Sequence, residues 1–132
     1  ELGLQIEIRQ TDFASFLAEQ DARQLQMFNA GWIMDYPDPE DILDLKFHSA
    51  SELNDMGYEN AEVDQLLEDA RVELDPDARL ALYAQAEELI IKDAAWLPLY
   101  FSQSHVVVNE AVHGWFEPPM VIPRLRFITV DR

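Results

Sequence analysis

Two helices with no room between them set the first constraint on this chain. Val63, Leu66, Leu67, Ala70 and Leu74 recur at helical spacing behind Asn60, a good N-terminal cap. Asp75-Pro76 then supplies a second cap with proline at the first helical position. It launches a helix to about Asp93, with Leu82, Ala86, Leu89 and Ile90 on its inner face. With almost no linker, the two apolar stripes must pack on each other as a tight corner or hairpin.

Around this pair the pattern is mixed. Leu4-Gln5-Ile6-Glu7-Ile8-Arg9 alternates as a strand does, and Thr11 or Asp12 caps a helix to about Gln20 with Phe13, Phe16 and Leu17 on one face. Leu25-Gln26-Met27-Phe28 reads as a second strand, so strand, helix and strand would form a right-handed crossover of a parallel pair. Trp96-Leu97-Pro98-Leu99-Tyr100-Phe101, His105-Val106-Val107-Val108 and Leu125-Arg126-Phe127-Ile128-Thr129-Val130 read as further strands. The expected fold class is α/β. The chain begins almost inside an alternating segment, which is read as a piece of a longer protein whose export signal would lie upstream.

The functional lead is Gly31-Trp32-Ile33-Met34-Asp35-Tyr36-Pro37-Asp38-Pro39. Proline fixes its own φ and restricts the residue before it, so this loop is stiff. It holds two aromatics beside one acid, and it would leave the C-terminal end of the second strand, where open α/β sheets tend to bind ligands. Trp32, Asp35 and Tyr36 are therefore candidate ligand contacts, for a cationic or amphipathic small molecule. The competing reading makes Trp32 and Tyr36 core aromatics and Asp35 a turn acid bonded to nearby backbone. Asp38-Pro39-Glu40-Asp41 is a helix start, and the helix carries Ile42, Leu43 and Phe47.

A net charge of −17 excludes a nucleic-acid footprint and electrostatic adhesion to anionic lipid, and it favours cationic ligands through the long-range field. With no cysteine there is neither a disulfide framework nor a thiolate metal site. Asp35, Asp38, Asp41 and Asp44 recur every third residue, but Pro37 and Pro39 break the turn. The last three acids are expected at a helix start and on its exposed face, so no metal site is expected there. His48, His105 and His113 share no metal-ligand spacing. Four glycines, no phosphate-cradling loop and no Gly-x-Ser-x-Gly elbow leave no catalytic residues to name.

In order and spacing the landmarks resemble the C-terminal part of the family 5 extracellular solute-binding proteins, the peptide and nickel receptors of ABC importers. They run from Leu4-Gln5-Ile6-Glu7-Ile8 and Asp12-Phe13 through Gly31-Trp32 and Asp35-Tyr36-Pro37-Asp38-Pro39 to Asn54, Tyr58 and Asn60. They continue with Val63-Asp64-Gln65-Leu66-Leu67, Ala70-Arg71, Asp75-Pro76, Arg79, Tyr83, Leu97-Pro98-Leu99-Tyr100 and Val112-His113-Gly114.

The resemblance implies a partial second lobe of a two-lobed, periplasmic-binding-protein-like fold. Residues 1–95 would belong to the second, C-terminal lobe. Residues 96–132 would be hinge-crossing and C-terminal strands, with Trp115 and the prolines 118, 119 and 123 where the family crosses between lobes. It implies capture of a peptide or similar small solute between lobes, outside the cytoplasm, for delivery to an ABC permease. No cofactor and no chemistry on the ligand are implied. In peptide-binding members the acid at the position of Asp35 anchors the ligand's α-ammonium, and the tryptophan at the position of Trp32 lines the pocket. Asp64, Arg71, Arg79 and Tyr83 fall at family positions expected to form structural pairs. The alternatives are a nickel-chelate or oligosaccharide receptor of the same family, or a non-transport protein-interaction domain. Without a first lobe, exposed faces would favour self-association.

Overall fold

Caps decide where the helices begin. In the computed structural model, which describes residues 3–103, 105–116 and 125–131, α1 spans Phe13–Asp21, α2 Glu40–Phe47, α3 Ala61–Val72 and α4 Pro76–Lys92. The Asp12 carboxylate accepts from Ser15 N at 3.0 Å, the Asn60 side chain from Glu62 N at 3.0 Å, and Asp75 from Ala78 N at 2.9 Å. Each bond satisfies a backbone donor that has no partner within its own helix. At α2 the Asp38 carboxylate accepts from Glu40 N at 3.0 Å, while the Asp38 carbonyl accepts from Asp41 N at 3.1 Å.

The core lies where α3 and α4 meet. Val63, Leu67 and Ala70 of α3 are sealed against Tyr83, Ala86 and Ile90 of α4, and Phe47 brings the end of α2 into the same cluster. Burying an aliphatic or aromatic side chain of this size contributes about 1.5–3 kcal/mol, so this trio of helices holds most of the packing energy. Phe47 also meets Trp96 edge-on, with ring centroids 4.9 Å apart, and Tyr58 at 6.1 Å. Leu74, expected to continue the α3 stripe, is 93% exposed. The helix stops at Val72 because the chain must leave the α region ahead of the Asp75-Pro76 cap, and that carries Leu74 outward.

Several expected strands do not form ladders. Residues 4–9 and 25–28 have no strand pairing, so the crossover unit keeps its helix and lacks its parallel pair. Residues 96–101 and 105–108 are likewise outside any sheet. Strand character needs a neighbour for backbone N–H and C=O groups, and side-chain alternation alone cannot supply one. Consistent with this, Ile6, Ile8, Leu97, Leu99, Phe101 and Val107 are exposed, as are Phe13 and Leu17 on the apolar face of α1. The prolines 118, 119 and 123 lie outside the described residues.

Among the described residues the one sheet is an antiparallel pair, β1 (Val112–His113) with β2 (Thr129–Val130), in the register Val112 to Val130 and His113 to Thr129. The expected strand 125–130 is split: Leu125–Phe127 forms a 3-10 turn before β2. Gly114 follows β1 with φ +74°, and a Cβ there would lie 2.0 Å from the Phe127 carbonyl oxygen. No side chain fits that approach. Gly114→Ala is therefore expected to open the β1–β2 pairing while α3 and α4 stay folded. Hydrogen exchange checks this: the Asp131 amide, bonded to the Ala111 carbonyl at 2.9 Å, should lose protection and the α3 and α4 amides should keep theirs.

Candidate functional site

The proline-stiffened loop sits on the N-terminal end of α2, and the residue that seats it is Asp41. Asp41 is 0% exposed. Its Oδ2 accepts from the Trp32 indole Nε1 at 2.8 Å and from the Asp35 backbone N–H at 3.1 Å. Its Oδ1 has no hydrogen-bond partner among the described residues. The sequence places Asp41 on the exposed face of the helix, and the structure overturns that: it lies beneath the loop. Asp44, expected on the same face, is also buried. It accepts from Arg71 Nε at 2.6 Å and from the Tyr83 hydroxyl at 3.3 Å.

Trp32 is half-buried, and its ring carries an internal cation. The Lys46 ammonium stands 4.7 Å from the indole centroid, and it donates to the Leu53 carbonyl at 3.0 Å and to Asp55 at 3.1 Å. Gln20 of α1 donates to the same Asp55 carboxylate. A cation–π contact on this ring is thus already made within the protein, by one of the two lysines in the chain.

Asp35 and Tyr36 complete the candidate set, and the loop brings all three residues to the same end of α2. Asp35 is exposed, and among the described hydrogen bonds its backbone N–H takes part but its carboxylate does not. The turn-acid alternative therefore belongs to Asp41, which does for the loop what was open for Asp35. Tyr36 is 40% exposed, and partial burial together with the Glu40, Asp41 and Asp38 carboxylates pushes its phenol above the ordinary value. The loop end is a negative environment in which a cation would be stabilised.

Behind the loop, Asp38 and Arg79 form a two-pronged ion pair, Nη1 to Oδ2 and Nη2 to Oδ1, each 2.8 Å. Arg79 also donates to the Ala70 carbonyl at 3.2 Å and to the Tyr83 hydroxyl at 3.2 Å. The hydrogen bonds from Arg79 hold the Asp38 carboxyl below its ordinary value. Burial and then the Asp44 charge push Tyr83 up to about 12. Neither group changes charge near neutral pH, so this support is constant over the physiological range.

Asn54 organises the stretch between α2 and α3. It is buried, donates to the His48 and Tyr58 carbonyls at 3.3 and 2.7 Å, and accepts from Tyr58 N at 3.1 Å. The Tyr58 hydroxyl and Asn60 both donate to Asp93 at the end of α4, at 2.7 and 2.8 Å. A shallow depression of about 300 Å³ between α2 and α3 is lined by Glu40, Asp44, Leu45, His48, Ala50, Ser51 and Arg71, and by none of the three candidate ligand contacts.

Asp41 and Lys46 were the residues that sequence reasoning missed. Hydropathy marks both as surface; the available signal was the scarcity of lysine together with an acid in the first turn of a helix.

The Asp38–Arg79 pair yields a pH test. A carboxyl depressed in the folded state stabilises fully above the unfolded-state value near 3.9 and loses that contribution as pH falls through the folded value. Asp38→Asn should cost about 1–2 kcal/mol at pH 7, since the pair is partly solvated, and the deficit should shrink as pH falls below the unfolded-state value and through the lower folded one. Urea denaturation of both proteins across pH 2–7 measures it.

No family model matches the sequence. Individual relatives do. The chain is 34% identical over 119 residues to the dipeptide-binding protein DppE of Bacillus subtilis, covering 90% of this chain and 22% of that protein. It is 28% identical over 114 residues to the periplasmic oligopeptide-binding protein OppA of Salmonella typhimurium, covering 86% of this chain and 21% of that protein. Among solved structures, the unliganded open form of the periplasmic murein tripeptide binding protein MppA matches with a TM-score of 0.68 at 25% identity, over 70% of this chain and 18% of that one. The chain thus spans about a fifth of the length of these relatives. In sequence and in fold it belongs to the family 5 extracellular solute-binding proteins, as a partial lobe of the periplasmic-binding-protein architecture.

Proposed function

We propose that this chain supplies part of the ligand-facing second lobe of an extracytoplasmic peptide receptor that serves an ABC permease. Asp35 is the anchor for the peptide's α-ammonium, Trp32 gives apolar contact, and Tyr36 borders the site. The observation that carries the reading is the division of labour on the loop: the Asp35 backbone is tied down while its carboxylate faces outward. A free ammonium is costly to strip of water unless a carboxylate replaces the lost hydration. An anchored acid in a negative neighbourhood, on a surface that the first lobe would cover, meets that need. Names of the similar proteins, which bind dipeptides, oligopeptides or a murein tripeptide, support peptide as the ligand class.

Residues 1–95 then belong to the lobe, and 96–132 to the segment that crosses the hinge. The exposed apolar residues at 4–8 and 97–107 are accounted for as sheet segments whose ladder partners lie in the rest of the receptor; left uncovered, they also provide a route to self-association. Ligand contact with both lobes would shift the receptor toward its closed form, and delivery to the permease follows from that form.

Calorimetry on the full-length receptor tests the anchor. A short peptide with a free N-terminus should bind, and its N-acetylated form should not. Asp35→Asn should weaken binding by about 30-fold or more, the effect of leaving one member of a desolvated charge pair alone. Equal affinity for the acetylated peptide would remove the ammonium-anchor role.

A further inference from the structure

We propose that Asp41 is the positioning residue of the binding loop: one buried carboxylate oxygen holds both the Trp32 indole and the Asp35 amide, and so fixes the direction in which the Asp35 carboxylate points. This rests on the reading of that loop as the ligand wall. Three observations carry it. The two donors come from different parts of the loop yet meet on a single oxygen, at 2.8 and 3.1 Å. A side chain and a main-chain group are thereby locked together, which fixes both position and rotation of the segment between them. Second, Asp41 itself cannot drift. It stands on α2, whose Asp44 is held by Arg71 and Tyr83 and whose Phe47 lies in the core.

Third, the carboxylate is buried at a cost. A fully buried acid is unfavourable unless its oxygens are satisfied, and here Oδ1 has no partner among the described residues. Simple space-filling would be met by an apolar side chain of similar size. The acid's return for its burial is the double acceptance at Oδ2. That makes the hydrogen-bond geometry, and not the charge, the property that matters, because an asparagine carbonyl could accept the same two donors.

The test compares Asp41→Ala with Asp41→Asn. In the ¹⁵N-labelled chain, with the Trp32 indole resonance assigned by its loss in Trp32→Phe, Asp41→Ala should speed exchange of the Trp32 Nε1–H and the Asp35 amide by about tenfold or more, and leave α3 and α4 amides unchanged. Asp41→Asn should stay within about threefold of the parent at both sites. In the full-length receptor, peptide affinity should fall about tenfold or more in Asp41→Ala and return to within about threefold of the parent in Asp41→Asn.

Unchanged protection of the Trp32 indole in Asp41→Ala overturns the inference. So does an Asp41→Asn variant that loses affinity as Asp41→Ala does, since charge would then be the operative property. Should Asp41→Ala fail to fold, Asp41→Asn decides alone: a retained indole resonance with retained affinity supports the inference, and loss of either refutes it. A parent receptor that binds no peptide, while Asp41→Ala still frees the indole, defeats the proposed function and leaves the positioning role standing.

Discussion

Arg79 is the side chain on which the arrangement of the loop depends. From α4 it reaches the last turn of α3 through the Ala70 carbonyl, the loop through both oxygens of Asp38, and α2 through the Tyr83 hydroxyl that in turn donates to Asp44. A guanidinium is suited to this because its donors are fixed in a planar fork, so each contact constrains the others. Lysine could match the charge but not the geometry. The apolar α3–α4 core sets where Arg79 starts, and Arg79 sets where the loop is held.

The negative charge of the chain is therefore not evenly idle. Asp38 and Asp44 are neutralised by Arg79 and Arg71, and Asp55 by Lys46, all in buried or partly buried pairs. Asp41 is occupied with hydrogen bonds to the loop, whereas the exposed Asp35 carboxylate has no partner among the described bonds. Breaking such pairs on one side is more damaging than their net worth implies, because the remaining charge stays desolvated. Lys46, Arg71 and Arg79 are committed to structure, and that leaves the loop end electronegative.

The internal cation over Trp32 bears on how the loop is held. With Lys46 against the ring, the indole is polarised and held before any ligand arrives. Preorganisation of this kind lowers the ordering cost of binding. It fits the proposed division of roles, in which Asp35 meets the ammonium and Trp32 gives apolar contact.

Local chemistry was legible from the residues. Asp12, Asn60 and Asp75 begin their helices as their side chains dictate, because a cap bonds to backbone only two or three residues away. The α3–α4 corner followed from spacing and from the missing linker. The strands were not decided in this way: residues 4–9 alternate as a strand should, yet pairing needs a partner that alternation does not provide. Nor could hydropathy tell that Asp41, Asp44 and Lys46 are inside, since a buried charge is stable only through partners distant in sequence, such as Arg71, Tyr83 and Asp55. Helix starts and the pairing of two helices belong to the sequence alone. Which acid stays exposed and which is buried to hold the loop was settled by tertiary structure, because desolvation and its compensation exist only once the helices have met.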